Sequence, residues 1–277
     1  MRTEKIWQCR DRRIDLSRPH VMGIVNVTPD SFSDGGQWPD AERAVAYGLT
    51  LAADGADILD IGGVSTRPGA GTVSEAEELR RVLPVVQGLV GQTQVVLSVD
   101  TSRANVARAA IKSGASIVND VMRFDGDDAM AAVVRETGAG IVLTHSRPSH
   151  DDTDYADVAA EVQTTLENAL AYAQGQGIAE AACVIDPGLG FAKTTAHNVA
   201  ILKRLDCLVE IAPVLIGASR KRFVRELGVG SEELGVGGEG GSIAVAVWSV
   251  LHGAAIVRAH DVKGTAEALR VIGALRG

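Results

Sequence analysis

The sequence has few of the features that mark secreted, disulfide-bonded or membrane-bound proteins. Only three cysteines occur in 277 residues, Cys9, Cys183 and Cys207, and they form no CxxC pair. An odd number of widely spaced cysteines indicates buried thiols in a reducing compartment. No apolar run reaches the roughly 18 residues of a membrane span, and the N-terminal segment has no apolar stretch of signal-peptide length. We therefore expect a cytoplasmic protein that does not contact a membrane.

Positive charge is also scarce. Lys and Arg number 27 against 35 Asp and Glu, which gives a formal net charge of -8. Phosphate backbones and anionic lipids select basic surfaces, so this balance argues against a general nucleic-acid or membrane-surface binder. Any site for an anionic ligand must then be local. Hydrophobic residues make up 46% of the chain and charged residues 22%, which is typical of a folded globular protein.

What the chain does contain is a repeated pattern of short apolar runs and helical segments. Runs without polar alternation indicate parallel strands that are covered on both faces. Ala-, Glu- and Arg-rich segments separate them, and the alternation occurs about eight times, which predicts a (β/α)8 TIM barrel, with a doubly wound sheet as the alternative. The runs are HVMGIVNV, ADILDIGG, VVLSVD, SIVNDV, GIVLTHS, ACVIDPG, PVLIGAS and AAIVRAH. We expect one domain over residues 1–277, in which residues 1–19 form a hairpin that closes the bottom of the barrel.

Polar residues stand where each predicted strand ends, which is where barrel enzymes carry their functional groups. Each could instead be a helix cap or turn residue. Asp60, Asp100, Asn119 and Asp186 suit either a flat ligand with an amino-pyrimidine edge or a metal ion. The end-of-strand residues are Asn26, Asp60, Asp100, Asn119, Asp120, His145, Asp186, Ser219 to Arg222, Arg258 and His260.

The densest positive charge follows the seventh predicted strand. Arg220, Lys221 and Arg222 open a helix there, so backbone N–H groups and the helix dipole add to the side chains. Together with Arg67, Arg258 and His260 they would form a cationic ring at one mouth of the barrel, facing the carboxylates across it. Pairing with surface carboxylates is the alternative. The combination predicts a ring-shaped ligand deep in the barrel and a phosphate at its rim.

These residues belong to motifs that resemble those of bacterial dihydropteroate synthases. MGIVNVTPDSFSDGG, DIGGVSTRPGA, SVDT, IVND, DPGLGFAK, GASRKRF and VRAHDV occur in that family's order and spacing. The resemblance covers nearly the whole chain. It implies a TIM-barrel transferase that joins 6-hydroxymethyl-7,8-dihydropterin pyrophosphate to 4-aminobenzoate with Mg²⁺, and it implies a homodimer formed through outer helices. Sulfonamides, as mimics of 4-aminobenzoate, would compete for the same site.

The resemblance also implies a role for individual residues. Asn26 would bind magnesium. Pyrophosphate would leave before the amine attacks, and Asp100 would stabilise the electron-poor pterin methylene. Asp34, with Ser33, and Arg67 lie on loops that would close over the substrates. The implied sets are Asp100, Asn119, Asp186 and Lys221 for pterin; Arg67, Arg258 and His260 for pyrophosphate; Thr66, Pro68, Phe191, Lys221 and Arg222 for aminobenzoate; and Asp100, Lys221, Arg67 and Asp34 for catalysis.

The chain departs from the family pattern at two places. Thr144-His145-Ser146 replaces the common Met-His-Met, so the apolar wall that those methionines usually form beside the pterin is in doubt. In the second loop, Val64 replaces a common Glu. We expect Lys193 to be a cation of the loop and not a catalytic base.

The alternatives are a non-catalytic pterin-binding paralogue, a pterin-dependent methyltransferase, and a Schiff-base aldolase that uses Lys221. The presence of Arg67, Lys221, Arg258 and His260 argues against the paralogue, and the STRPGA and SRK motifs argue against the methyltransferase.

Overall fold

The chain begins with a small antiparallel hairpin. In this computed structural model, residues 6–28, 40–64, 71–147, 149, 152–229 and 238–276 are described. Strands β1 (Ile6–Cys9) and β2 (Arg12–Asp15) pair so that Trp7 lies opposite Ile14. The turn uses Arg10 in the left-handed region, at φ 61°, and the Arg10 N–H donates to Gly138 O at 2.6 Å. The hairpin is therefore fastened to the main body at its turn.

Eight parallel strands form the main body. They are β3 (His20–Asn26), β4 (Ile58–Gly62), β5 (Val96–Asp100), β6 (Ile117–Asp120), β7 (Gly140–Thr144), β8 (Cys183–Asp186), β9 (Leu215–Ile216) and β10 (Ile256–Ala259). The sheet order is β8, β7, β6, β5, β4, β3, β10, β9. A bridge between Ile185 and Val214 closes the ring, and the Ile185 N–H donates to Pro213 O at 3.0 Å. The predicted TIM barrel is confirmed.

Helices surround the barrel. Several begin at side-chain caps: Ser74 Oγ accepts from the Glu77 N–H at 3.2 Å, and Thr194 and His197 form a capping box. These caps fix where the chain leaves each loop. The helices are α1 (Asp40–Ala53), α2 (Glu75–Leu89), α3 (Ala104–Lys112), α4 (Met130–Thr137), α5 (Val158–Gly175), α6 (Thr195–Lys203), α7 (Leu205–Val209), α8 (Arg222–Val229), α9 (Glu239–Leu251) and α10 (Val262–Arg276).

The hydrophobic core has an outer and an inner layer. The outer layer lies between strands and helices, whereas the inner layer fills the barrel and includes Trp7, Cys9 and Ile14 of the hairpin. Trp7 is fully buried, and its Nε1 donates to Ala182 O at 2.8 Å. The prediction that the N-terminal segment closes the bottom of the barrel is confirmed. This end of the barrel is filled with apolar side chains.

The cysteines are free thiols, as expected. Cys9 and Cys183 are buried and Cys207 is half-buried. Burial raises the pKa of Cys9, and burial followed by the charge of Glu180 raises the pKa of Cys183 to about 12, so both thiols stay protonated and unreactive. Among the helices that the structure describes, none has the length and apolarity of a membrane-spanning segment.

Candidate active site at the carboxyl-terminal end of the barrel

Inward-facing positions change from apolar to polar along the strands. The inner core contains residues such as Ile58, Ile117 and Val184. Side chains two residues apart share a face of a strand, so the next inward layer lies directly above. That layer holds Asp60, Ser98, Asn119, Thr144, Asp186, Gly217 and Arg258. The polar residues that the sequence analysis placed at strand ends are therefore brought together above an apolar floor.

Asp60 is the centre of this polar layer. Its fully buried carboxylate accepts hydrogen bonds from Ser98 Oγ at 2.6 Å and from Asn119 Nδ2 at 2.9 Å. It also accepts from Arg258 Nε at 2.7 Å, and Arg258 Nη2 donates to Asp100 at 2.8 Å. We call these five residues the Asp60 cluster. Because the Asn119 amide nitrogen is bound, its carbonyl oxygen is the polar atom left for a ligand.

Arg258 lies at the carboxyl-terminal end of the barrel, as expected, but it does not face the carboxylates across the barrel. It lies among them, bonded to Asp60 and Asp100. The physical reason is that two buried carboxylates need a cation close by. Burial raises the pKa of Asp100 to about 7; Arg258 lowers it and Asp60 adds to the rise. Asp100 can therefore gain or lose its proton near neutral pH.

Asp186 and Lys221 face each other across a small space. Asp186 Oδ1 accepts from the Gly188 N–H at 2.8 Å, while a Cβ built on Gly217 would lie 3.9 Å from both Asp186 Oδ2 and Lys221 Nζ. Gly217 thus leaves room between a carboxylate and an ammonium. Burial lowers the pKa of Lys221 to about 8 against the attraction of Asp186, and burial raises the pKa of Asp186 against the attraction of Lys221.

Lys221 is the one inward-facing member of the Arg220-Lys221-Arg222 set. Arg220 has φ 58° and pairs with Glu239 at 2.6 Å, and Arg222 pairs with Glu226 on the next turn of α8. Lys221 instead donates to Leu189 O and lies 4.7 Å above the Phe191 ring. A helix follows strand seven as predicted, but it begins at Arg222, so Arg220 and Lys221 belong to the turn before it and not to its first turn. The Arg222 side chain points to solvent and is 85% exposed.

Ser219 holds His260 at the end of the last strand. The His260 N–H donates to Ser219 Oγ at 3.1 Å, and Ser219 Oγ lies 3.0 Å from His260 Nδ1. Ser219 Oγ can donate to Nδ1 or accept from it, and either arrangement fixes the orientation of the imidazole ring at the end of β10.

The loop after β8 contains a contact that the sequence did not reveal. Lys193 Nζ lies 2.8 Å from His145 Nδ1 and donates to Gly188 O at 3.1 Å and Phe191 O at 3.0 Å. Burial lowers the pKa of Lys193 to about 7, and burial with the charge of Lys193 lowers the pKa of His145 to about 3. His145 is thus a neutral hydrogen-bond acceptor. We expected Lys193 to be a simple loop cation, but its hydrogen bonds also hold in place the loop that carries Phe191.

Gly188 is required in this loop by both conformation and space. Its φ is 65°, and a Cβ there would lie 1.8 Å from His145 O. Any other residue would force β7 and β8 apart at the site. The DPGLG stretch therefore serves to bring Asp186, Phe191 and Lys193 close together.

Several predicted site residues lie outside the described residues. These are Ser33 and Asp34 on the first loop and Thr66, Arg67 and Pro68 on the second. Asn26 is described: it ends β3 opposite Gly62, which itself lies opposite Asp100. Within the described ranges, no group of three His, Cys, Asp or Glu is arranged to hold a metal. Asn26 could supply one oxygen ligand, so a metal here would depend on ligand phosphates and water.

Comparisons with known proteins agree with this geometry. A family model described as pterin binding enzyme matches residues 22–260. A dihydropteroate synthase of Mycobacterium leprae is 46% identical over 271 residues, covering 94% of this chain and 95% of the relative. A structure of Xanthomonas albilineans dihydropteroate synthase with 4-aminobenzoic acid has a TM-score of 0.94 at 46% identity, with 99% of each chain covered. A structure of the X. albilineans enzyme with 7,8-dihydropteroate has a TM-score of 0.90 at 44% identity, covering 98% of this chain and 99% of that one.

Proposed function

Because the chain belongs to the dihydropteroate synthases, a family of pterin-binding enzymes, we propose that the carboxyl-terminal end of its barrel binds pterin on its floor and 4-aminobenzoate at its rim. The activity is that of a folate-biosynthesis transferase, which joins 6-hydroxymethyl-7,8-dihydropterin pyrophosphate to 4-aminobenzoate and forms 7,8-dihydropteroate and pyrophosphate. The observation that supports these positions is the convergence of Asp186 and Lys221 on the space beside Gly217.

The pterin ring has complementary partners in that space. The Asp186 carboxylate can accept two parallel N–H groups of an amino-pyrimidine edge, and Lys221 can donate to the ring carbonyl. The Asn119 oxygen, fixed by the bond from its amide nitrogen to Asp60, accepts a further ring N–H. These groups are held before the ligand arrives, so little ordering is needed on binding.

Pyrophosphate departure requires positive charge at the rim. The bond between the pterin methylene carbon and the ester oxygen breaks, and its electron pair leaves with pyrophosphate; the amine lone pair of 4-aminobenzoate then bonds to the methylene, and the amine loses a proton. Arg258 uses two of its N–H groups on Asp60 and Asp100 and keeps others for phosphate oxygens. His260, with Arg67, would add to this stabilisation, and Asp100 would steady the electron-poor methylene.

The aminobenzoate site would lie above the pterin. The Phe191 ring and the Lys221 stem form one wall, and Thr66 and Pro68 of the second loop would complete it. The backbone N–H groups at the start of α8, near Arg222, are suited to the carboxylate because a helix N-terminus favours negative charge.

Among the described residues, Asn26 is the one that we assign as a magnesium ligand. The Asn26 side chain makes no hydrogen bond to any described residue and ends β3 at the rim. We propose that its carbonyl oxygen ligates Mg²⁺ together with pyrophosphate oxygens and water, as expected for this ion. The ion would supply positive charge to the leaving group.

Partner and location are further proposals. Helices α9 and α10 pack together and expose Trp248, Leu251, Val271 and Leu275, which supports a homodimer through this face. The free thiols support a cytoplasmic location.

The direct test is product formation from dihydropterin pyrophosphate and 4-aminobenzoate, measured over a range of Mg²⁺ concentrations. Lys221→Ala should lower kcat/KM by roughly 100-fold or more, since it removes a buried charged donor to the ligand. Lys203→Ala, at the end of α6, is the matched control. Unchanged turnover in Lys221→Ala would contradict the proposed site, and full turnover in excess chelator would contradict the role of magnesium. Pterin binding without turnover in the wild type would indicate a non-catalytic paralogue.

A further inference from the structure

One polar atom in the inward layer has no partner. Thr144 is 1% exposed, and its Oγ1 is buried without a hydrogen bond to any described residue. Other unpartnered buried side-chain atoms occur in the described chain, on His20, Ser102, Tyr155, Arg225 and Glu239, but Thr144 is the one that ends a barrel strand on its inner face. A buried hydroxyl without a partner destabilises the folded state, so its retention needs an explanation.

The position of Thr144 points to the ligand site. Val142 belongs to the inner core, and Thr144, two residues on, faces the same way. In the sheet register Thr144 pairs with Asp186, and Val142 pairs with Asn119 on the other neighbouring strand. Thr144 therefore lies beside Asp186 and diagonal to Asn119, two groups that we assign to the pterin ring.

The threonine side chain is also fixed in direction. Its Cγ2 methyl faces the β8 loop, 3.3 Å from where a Cβ on Gly188 would lie, and its backbone oxygen accepts from Arg123 Nη1 at 3.1 Å. Branching at Cβ restricts the rotation of this side chain about χ1. With the methyl packed against the loop, the hydroxyl is the branch of Thr144 that remains without a partner.

We propose that Thr144 Oγ1 forms a hydrogen bond with the edge of the pterin ring that Asp186 binds, and that it contributes to specificity for that ring. The assignment rests on the proposed function and deepens it. The hydroxyl is unpaired before the ligand arrives and paired afterwards. Removing the hydroxyl should therefore leave the stability of the free protein unchanged or raise it, and should weaken pterin binding.

The experiment compares Thr144→Val with the wild type. Valine keeps the shape and removes the hydroxyl, so the thermal midpoint of the unliganded protein should stay the same or rise. The Kd for 6-hydroxymethylpterin, measured by calorimetry, should rise about fivefold to tenfold, as for loss of one neutral hydrogen bond. The pterin-induced shift of the midpoint should shrink, while the KM for 4-aminobenzoate stays unchanged. Thr144→Ser, which keeps the hydroxyl, should bind pterin within about twofold of the wild type.

Thr137→Val is the matched control, because Thr137 Oγ1 already donates to Val133 O at 2.7 Å, away from the site. It should lower the midpoint and leave pterin affinity unchanged. Wild-type pterin affinity in Thr144→Val overturns the assignment, as does a lower unliganded midpoint with an unchanged pterin-induced shift. Asp186→Asn tests the site itself: if the wild type binds no pterin, or Asp186→Asn binds as well as the wild type, the proposed function fails, and the Thr144 assignment fails with it.

Discussion

The ion pairs of Arg258 with Asp60 and Asp100 influence the pH at which the site gains or loses protons. Arg258 is close enough to neutralise either carboxylate, but it is one cation between two anions. Burial, the largest influence, raises the pKa of Asp100 to about 7, and burial lowers the pKa of Lys221 to about 8. Asp100 and Lys221 are therefore both charged only over a narrow range of pH.

We predict a bell-shaped dependence of kcat/KM for the pterin substrate on pH. Below pH 7 Asp100 gains a proton and loses the charge that steadies the methylene, and above pH 8 Lys221 loses its own charge. In Asp100→Asn the acid limb should disappear, with residual activity roughly 100-fold lower. Comparing the two profiles cancels the ionisation of the substrate. An acid limb near pH 7 that survives in Asp100→Asn would assign it to another group.

The direction of single side chains is where the sequence was least informative. Strands covered on both faces show no polar alternation, so the sequence could not indicate whether Arg258 points inward among the carboxylates or outward to the rim. Thr144 was noticed only as a departure from a motif, and its missing hydrogen bond depends on three-dimensional packing. The contact of Lys193 with His145 joins two loops, which no local pattern predicts.

At the scale of elements, the sequence was far more informative. Apolar runs located all eight barrel strands, since parallel strands covered on both faces are rich in apolar residues. Asp60 within β4 and Arg258 within β10 interrupt two of these runs. The helix after strand seven was located by Arg220 to Arg222, and the hairpin by two short apolar stretches separated by Arg and Asp. The loops at residues 29–39 and 65–70, which carry several implied site residues, lie outside the described residues.

The hairpin allows a prediction that separates stability from catalysis. Trp7→Ala removes a fully buried side chain and a bond to Ala182 O, and it should destabilise the protein by about 3–5 kcal/mol. Urea unfolding measures this loss. Because Trp7 lies at the opposite end of the barrel from Asp186, kcat and KM measured well below the thermal midpoint should change less than twofold. A large change in KM for pterin would show that the two ends are coupled.

At the scale of the whole molecule, the apolar face on α9 and α10 bears on assembly. Leu251 is 45% exposed and Leu275 77% exposed. We predict that Leu251→Glu weakens the proposed dimer by roughly 100-fold, because a two-fold interface would bury the unpaired charge in both copies. Sedimentation velocity over a dilution series measures the change. Tyr172→Glu is the control, since Tyr172 has the same exposure on α5. A wild-type protein that sediments as a monomer would contradict the dimer.

The hairpin also has a kinetic consequence. Because Trp7 and its neighbours fill one end of the barrel, substrates and products share a single mouth. In the site that we propose, the pterin floor lies beneath the wall formed by Phe191 and Lys221, so a 4-aminobenzoate molecule that arrived first would obstruct the route downward. This arrangement predicts a compulsory order of addition, with pterin first. Dihydropteroate would then leave with its pterin half last, and a new cycle would wait until that half had cleared the floor.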